Sequence, residues 1–367
     1  MAIELSNLTF TEQDDIVPES GVEEILNTGI ANTLAGNDSI TGTSNYYGFE
    51  NVGVLNTGDG NDTIIGNGNI YAQNPSSGIV NSGTLNAGEG DDTIGAGGYY
   101  SGFNNSGTLN TDEGDDVIIA NAYANGLNNY ATLDTGEGDD VITTNAAFNV
   151  LNNYGTLNTG EGDDVITSNG VFFGRGIYSA EDSIFDTGDG NDIIRANNSI
   201  DNRSNTFTTG DGNDMIEAGG TLFNYGGVFL GDDNDTIAST YIIYNQGVIE
   251  TGNGDDSILV EGGVNDDITG TTYGIYNNGG AINMGDGNDS IIANKGFESA
   301  PNSSGAWFLG EGEDYIKGFG SGDFYGGNGF DTLELTPGTY TVGIWGEGGE
   351  SPIFTKGNQL MITSEFE

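Results

Sequence analysis

The sequence predicts an all-β fold, a single parallel β-helix or β-roll-like solenoid of about 13 coils with a period near 24 residues. Three observations lead to this prediction. Glycine accounts for 65 of the 367 residues. An acidic eight-residue motif recurs thirteen times along the chain. Apolar residues form columns at fixed distances from that motif, as expected when every coil contributes to one core.

The motif is clearest from Thr57 to Ile64, where the chain reads Thr-Gly-Asp-Gly-Asn-Asp-Thr-Ile. Successive copies lie about 24 residues apart on average, with a few shorter and longer steps. Such a period with small insertions is typical of a solenoid that carries loops at one corner. The last Asp of each copy falls at Asp38, Asp62, Asp92, Asp116, Asp140, Asp164, Asp192, Asp214, Asp235, Asp256, Asp289, Asp314 and Asp331.

The apolar columns indicate which residues point inward. The second residue after each of these Asp is Ile in twelve copies and Leu333 in the last. The residue three places before the first motif glycine is always apolar, from Leu55 to Phe324. A third, interrupted column contains Phe49, Ile79, Phe103, Leu127, Leu151, Leu222 and Ile243. Three short apolar segments without a helical period predict three strands per coil, each paired in parallel with the next coil.

An asparagine column accompanies these strands. It contains Asn27, Asn51, Asn81, Asn105, Asn129, Asn153, Asn224, Asn245 and Asn278. Asparagine tolerates left-handed turns, and stacked amides hydrogen-bond along a solenoid. The column is therefore interpreted as a ladder at a turn rather than as a row of ligand-binding residues.

The charge balance excludes several functions. The chain has 56 acidic and 6 basic residues, a net charge of −50, and no His or Cys. Six scattered cations cannot neutralise a phosphate backbone or an anionic bilayer, so neither nucleic acid nor an anionic membrane is an expected partner. Disulfides, thiolate and imidazole catalysis, and metal sites built from nitrogen and sulfur ligands are absent. No apolar run approaches 18 residues, so no membrane insertion is expected.

The acidic motif points to calcium. Glycine allows the positive φ that turns main-chain carbonyls toward one point, and carboxylates lie at the same place. Calcium takes six to eight such oxygen ligands. Three positions of the motif hold 29 of the 56 acidic residues. Because unit charges about 4.8 Å apart repel by roughly 0.9 kcal/mol even in water, we expect folding to be conditional on calcium.

Extended by one residue, the motif resembles the G-G-x-G-x-D-x-U-x nonapeptide of RTX (repeats-in-toxin) proteins. The resemblance covers about Thr33 to Leu335. It implies that calcium binds between stacked coils, with the thirteen Asp above as the metal ligands. Carbonyls around glycines such as Gly58 and Gly60 would complete the coordination.

The chain also departs from the family pattern. One nonapeptide alternates with about fifteen residues of other sequence, which predicts a single calcium column on a wider coil. Leu34 and Asp112 replace the first motif glycine, and Asp233 replaces the second. Phe330 occupies the polar position before Asp331. Calcium binding is expected to be altered in these copies.

The repeat divides the chain into three predicted segments. Residues 1–26 form an N-terminal cap, 27–335 the calcium-binding solenoid, and 336–367 a C-terminal cap with strands near Tyr340–Trp345, 352–357 and 360–362. The last segment resembles the C-terminal region of RTX proteins exported by type I secretion, and the first residues lack the pattern of a Sec signal peptide. This resemblance predicts an extracellular or cell-surface location.

Four functions are considered for such a chain: an enzyme, an ice-binding protein, a structural building block and an adhesin. An enzyme is not expected, since the acids recur in every coil whereas catalysis needs one special site. Ice binding would use the row Thr84, Thr108, Thr132 and Thr156, which Ile184 and Gly227 interrupt.

The favoured interpretation is a secreted calcium-binding building block of an extracellular layer, sheath or fibre, acting through self-association. The alternative is a calcium-dependent adhesin that binds a surface polysaccharide through corner aromatics, namely Tyr99, Tyr100, Tyr123, Phe172, Phe173, Tyr241, Tyr244, Tyr273 and Tyr276.

Overall fold

The structure, a computed structural model, describes residues 2–18, 23–69, 76–172, 174–266, 271–299, 305–345 and 351–366. It divides into two compact units, Met1–Asn198 and Ser199–Glu367. Each unit is a stack of parallel β-coils, which confirms the predicted all-β solenoid and its period near 24 residues. The described residues contain no α-helix, and their one helical segment is the 3-10 turn Leu5–Asn7.

Every complete coil contributes one strand to each of three faces, which we name after the residues that mark them. The Asn face ends at the asparagine column, the Leu face follows it, and the Ile face follows the acidic turn. In the first unit the Asn face consists of Ile3–Glu4, Ile25–Asn27, Tyr47–Asn51, Ser77–Asn81, Ser101–Asn105, Asn125–Asn129, Asn149–Asn153 and Arg175–Ser179. The Leu face consists of Ile30–Asn32, Val54–Asn56, Thr84–Asn86, Thr108–Asn110, Thr132–Asp134, Thr156–Asn158 and Ile184–Asp186. The Ile face consists of Ile16–Val17, Ser39–Thr43, Thr63–Asn67, Thr93–Gly98, Val117–Ala122, Val141–Ala146, Val165–Gly170 and Ile193–Ala196.

The second unit repeats the three faces. Its Asn face consists of Ser199–Asn202, Leu222–Asn224, Ile243–Asn245, Ile275–Asn277 and Phe297–Ser299. Its Ile face consists of Met215–Ala218, Thr236–Ser239, Ser257–Val260, Ser290–Ala293, Tyr315–Lys317 and Thr332–Glu334. Its Leu face consists of Thr206–Thr208, Gly227–Phe229, Val248–Glu250, Ala281–Asn283, Ala306–Glu311 and Gly322–Asn328, extended by Gln359–Ser364, Ser351–Lys356 and Thr341–Trp345. A small antiparallel hairpin, Val264–Asp266 with Thr271–Tyr273, lies outside the coils.

The strand register places like residues on top of one another. Ile118 pairs with Ile94 on one side and with Ile142 on the other. Leu109 and Leu133 pair in the same way on the Leu face. All these side chains are fully buried, so the two uninterrupted apolar columns of the sequence form a continuous core within each unit. Parallel stacking explains the repeat, because each coil buries its apolar side chains only against its neighbours.

The third apolar column is more complete in the structure than in the sequence pattern. The structure fills its gaps with the buried residues Ile177, Ile200, Ile275 and Phe297, each paired with a neighbour of that column. The interruptions of this column in the sequence are therefore not interruptions of the core. Corner loops of variable length displace these residues along the chain while hydrogen bonding keeps them in register.

The asparagine column is a buried amide ladder, as predicted. The Asn129 amide Nδ2 donates to Asn153 Oδ1 at 2.9 Å and to the Thr156 carbonyl at 2.6 Å. One assignment was wrong, because Asn277 rather than Asn278 continues the column: Asn245 Nδ2 donates to Asn277 Oδ1 at 3.2 Å. Asn278 instead donates to the Tyr244 hydroxyl at 2.9 Å. Asn202, which the sequence analysis missed, donates to Asn224 Oδ1.

The two chain ends extend the coils. Ile3–Glu4 and Ile16–Val17 pair in parallel with Ile25–Asn27 and Ser39–Thr43, so strands of the stack already occur within residues 1–26. At the other end, Gln359–Ser364 pairs in parallel with Gly322–Asn328. Ser351–Lys356 pairs antiparallel with Gln359–Ser364, and Thr341–Trp345 pairs antiparallel with Ser351–Lys356. The strands expected in residues 336–367 are present at these positions.

Candidate metal centre

In each unit the last Asp of each acidic turn belongs to a hydrogen-bonded row; we call the thirteen Asp of the two rows, all predicted as ligands, the Asp ladder. The main-chain N–H of Asp116 donates to Asp140 Oδ1 at 2.8 Å, and that of Asp140 donates to Asp164 Oδ1 at 2.8 Å. Equivalent bonds join the ladder residues of the second unit at 2.8 to 3.1 Å. Every ladder Asp is at most 2% exposed.

The second carboxylate oxygen is buried without a hydrogen-bond donor in ten of the ladder residues. Oδ2 is buried and accepts no hydrogen bond in Asp38, Asp62, Asp92, Asp116, Asp140, Asp164, Asp235, Asp256, Asp289 and Asp314. Burying an ionised oxygen without a partner is costly, and such groups in a folded protein call for an explanation such as a bound ion. Their recurrence in coil after coil indicates a shared cause.

Burial changes the acidity of the ladder. This burial, together with a smaller effect of the carboxylates of neighbouring ladder residues, raises the pKa of Asp92, Asp164 and Asp235 to about 8. The same burial raises the pKa of Asp116, Asp192 and Asp289 to about 7 and that of Asp62, Asp140 and Asp314 to about 6. It also raises the pKa of Asp38 and Asp256. The ladder is thus poorly suited to carry its full negative charge alone.

The turn glycines adopt the positive φ that the motif predicted. Gly138 has a φ of 141°, and a Cβ atom there would lie 2.1 Å from the Gly114 carbonyl oxygen of the preceding coil. Only glycine allows this approach of two main chains. Leu34, Asp112 and Asp233, which replace motif glycines, keep positive φ values of 86°, 64° and 84°. The altered copies therefore retain the left-handed backbone at those positions.

A buried threonine row lies at the start of many turns. Thr33 Oγ1 donates to the Thr57 carbonyl at 2.7 Å, and Thr111 Oγ1 donates to the Thr135 carbonyl at 2.9 Å. These side chains are at most 1% exposed. The sequence analysis missed the row, although a polar residue recurring between two buried columns was the available signal.

A second row of side chains on the turn surface runs in the opposite direction. The N–H of Asp139 donates to Asp115 Oδ1 at 3.0 Å, and that of Asp163 donates to Asp139 Oδ1 at 2.9 Å. These bonds point to the preceding coil, whereas those of the Asp ladder point to the following one. The acids just before the ladder residues thus hold the turns together, a role that the sequence analysis did not assign.

These atoms are of the type that calcium binds, but few of them belong to side chains that lie together. Every candidate donor is an oxygen, the ligand type that calcium prefers. However, the described residues contain no group of three or more Asp, Glu, His or Cys side chains that could hold a metal. Calcium at these turns would therefore combine a ladder carboxylate with main-chain carbonyls.

The structure also contains the two surfaces that the other functions would use, the threonine row for ice binding and the corner aromatics for polysaccharide binding. Thr84, Thr108, Thr132 and Thr156 lie in register on the Leu face and are followed by Ile184, as the sequence indicated. Several corner aromatics stack on one another, including Tyr99 on Tyr123 with ring centroids 5.0 Å apart. Phe173 lies outside the described residues.

Comparisons with known proteins add little to these observations. No protein-family model matches the chain, and no curated protein matches it. A solved structure of a hyperactive, Ca²⁺-dependent, β-helical antifreeze protein from an Antarctic bacterium is similar, with 20% identity over 84% of each chain and a TM-score of 0.46. A likeness this distant carries no argument about this chain, so the resemblance to RTX proteins depends on the motif itself. No helix in the described part of the chain is long and apolar enough to cross a membrane.

Proposed function

We propose that this chain is a secreted, calcium-binding β-solenoid that serves as a building block of an extracellular layer, sheath or fibre. The observation that carries the proposal is the Asp ladder, in which buried Oδ2 atoms recur without a donor in consecutive coils. A divalent cation beside each turn offsets both the burial of these oxygens and the repulsion between them. The bound ions then link each coil to the next.

The ladder carboxylates and the motif glycines would hold the metal. The Oδ2 atoms of residues such as Asp116 and Asp140 supply charge, and carbonyls near glycines such as Gly114 and Gly138 supply neutral oxygens. Calcium supplies positive charge at the turn and no redox or acid–base chemistry. Sites with few carboxylates bind calcium weakly, at about 0.1 to 1 mM, which suits an extracellular protein.

Self-association is supported by the end of the second unit. Thr341–Trp345 is the last strand of its sheet among the described residues. Val342 and Ile344 on this strand are 65% and 67% exposed. An edge strand with exposed apolar side chains favours pairing with a strand of another molecule. The proposal also includes the absence of enzymatic activity, because the ladder acids are equivalent from coil to coil and none is singled out for catalysis.

A calcium titration tests the proposal. Protein stripped with a chelator is followed by far-UV circular dichroism and light scattering while calcium is added, with magnesium as the control ion. We expect β-structure to form between about 0.1 and 1 mM calcium, and scattering to rise with it. Strands that persist without calcium would refute the metal-dependent fold. A folding transition without increased scattering would refute the building-block role.

A further inference from the structure

A groove of about 730 Å³ runs along the first unit, away from the acidic turns. It lies at the ends of the Ile-face strands Thr93–Gly98, Val117–Ala122, Val141–Ala146 and Val165–Gly170. Its volume is in the range of ordinary ligand sites. None of the described residues that line it is charged, although the chain as a whole carries a net charge of −50.

One side of the groove is a row of surface amides. Asn145 Nδ2 donates to Asn121 Oδ1 at 2.7 Å, and Asn169 Nδ2 donates to Asn145 Oδ1 at 3.0 Å. Each bond uses one of the two amide protons and one of the two lone pairs of the carbonyl oxygen. Each rung therefore keeps one donor and one acceptor for a ligand, repeated once per coil at about 4.8 Å.

The other side is aromatic. Tyr123 and Phe172 line the groove and are 49% and 52% exposed. They belong to a longer row in which the ring centroids of Tyr123 and Phe148 are 5.7 Å apart and those of Phe148 and Phe172 are 5.8 Å apart. The small residues Ala122, Ala146 and Gly170 lie between the amides and the rings along the chain and leave room for a ligand.

We propose that this groove binds an uncharged, hydroxyl-rich polysaccharide lying along the coil stack. A sugar ring has an apolar C–H face that packs on an aromatic ring and hydroxyl groups that both donate and accept hydrogen bonds. The groove offers both surfaces side by side and repeats them from coil to coil, which suits a polymer. An acidic polysaccharide is disfavoured by the negative field of the surrounding protein.

The proposal goes beyond calcium binding and uses no residue of the acidic turn. Affinity electrophoresis in millimolar calcium tests it, with hydroxyethylcellulose, dextran or galactomannan as neutral polysaccharides in the gel and alginate as the acidic one. We expect at least one neutral polysaccharide to retard the protein and alginate to leave its mobility unchanged. No retardation by any neutral polysaccharide would overturn the proposal.

Matched variants locate the binding. Tyr123→Ala and Asn145→Ala are each expected to weaken retardation about three- to tenfold, the usual effect of one stacking or hydrogen-bonding contact. Tyr130→Ala is the aromatic control, because Tyr130 is 53% exposed and stacks on Tyr154 at 5.1 Å outside the groove. Asn158→Ala is the amide control, since Asn158 belongs to a row on the Leu face.

Both controls should bind like the unmodified protein, and circular dichroism confirms that each variant is folded. Equal binding by the groove variants and the controls would overturn the assignment. Sedimentation of the same variants tests whether a second copy occupies the groove. If Tyr123→Ala caused an oligomer to dissociate and left polysaccharide binding unchanged, the groove would be a protein interface and the proposal would be wrong.

Discussion

The ladder aspartates combine two roles in one side chain. Oδ1 accepts the N–H of the preceding coil and thereby fixes the turn, while Oδ2 is buried without a protein donor. The first role needs only an acceptor, whereas the second brings a charge into a dry site. A substitution that keeps the acceptor and removes the charge separates the two.

Asp140→Asn is such a substitution. Because burial raises the pKa of Asp140 to about 6, ionisation of this group opposes folding at neutral pH. We expect the variant to be more stable than the parent without calcium, by on the order of 2 kcal/mol, and to gain less stability from calcium. Thermal unfolding at limiting and at saturating calcium measures both effects. The control is Asp139→Asn, on the exposed neighbouring row, and equal behaviour of the two variants would contradict the prediction.

The turn glycines are the other critical residues. A Cβ atom on Gly138 would meet the Gly114 carbonyl oxygen at 2.1 Å, and φ is 141°. Gly138→Ala is therefore expected to destabilise the protein by about 3 kcal/mol or more. Gly95→Ala is the matched control, because its Cβ would meet only the Ile65 side chain at 3.4 Å. Urea unfolding compares them, and equal midpoints would contradict the close approach of the two turns.

At the scale of the strand and turn, opposing rows of hydrogen bonds hold adjacent coils together. The Asp ladder bonds to the following coil and the exposed row bonds to the preceding one. The asparagine ladder also joins adjacent coils, at the opposite end of the Leu-face strands. Each amide there donates to the next asparagine and to a main-chain carbonyl. Each buried polar side chain thus serves two coils at once.

Asn129→Ala tests the asparagine ladder. The change leaves Asn105 Nδ2, Asn153 Oδ1 and the Thr156 carbonyl without their partner in a fully buried site. We expect a loss of about 3 kcal/mol in the free energy of unfolding. Asn86→Ala, in a surface amide row, should cost about 0.5 kcal/mol or less. Urea denaturation measures the free energy of unfolding of both variants. Similar losses would show that the buried asparagine ladder stabilises the protein no more than a surface amide row does.

At the scale of the whole molecule, the raised pKa values of the Asp ladder predict an unusual response to acid. Folded-state pKa values reach about 8 in Asp92 and Asp164, against about 3.9 for an unfolded Asp. The folded protein therefore binds more protons than the unfolded chain between these values. Without calcium, we expect stability to increase as pH falls from about 8 to about 4.

Far-UV circular dichroism in a chelator at several pH values measures this dependence, because the unfolded metal-free chain is then expected to gain β-structure as the pH falls. A high salt concentration screens repulsion between exposed acids but affects the buried ladder much less, so the trend should persist in salt. With saturating calcium the trend should reverse, because protons then compete with the metal for the ladder oxygens. A metal-free protein that loses stability steadily on acidification would contradict the raised pKa values.

The sequence by itself determined the number of faces, the period and the turn chemistry. Residues such as Ile118 and Leu109 occur at fixed distances along the sequence from a glycine-rich acidic turn. Because a coil is small, few other choices of inward-pointing residues would bury its apolar side chains. It also located the ladder Asp, since one acid two residues before each inward Ile must lie at the edge of the core. The positive φ of Gly138 followed from the same pattern.

Only the tertiary structure decided how side chains of different coils meet. The register chose Asn277 over Asn278, because a corner insertion shifts the count along the chain while the amide ladder stays aligned. Whether a row of hydrogen bonds points to the preceding or to the following coil depends on the offset between stacked turns. The sequence of a single repeat does not contain that offset. The groove beside Asn145 and Tyr123 arises for the same reason: successive coils each contribute lining residues, and the amide and aromatic rows form only when the coils stack.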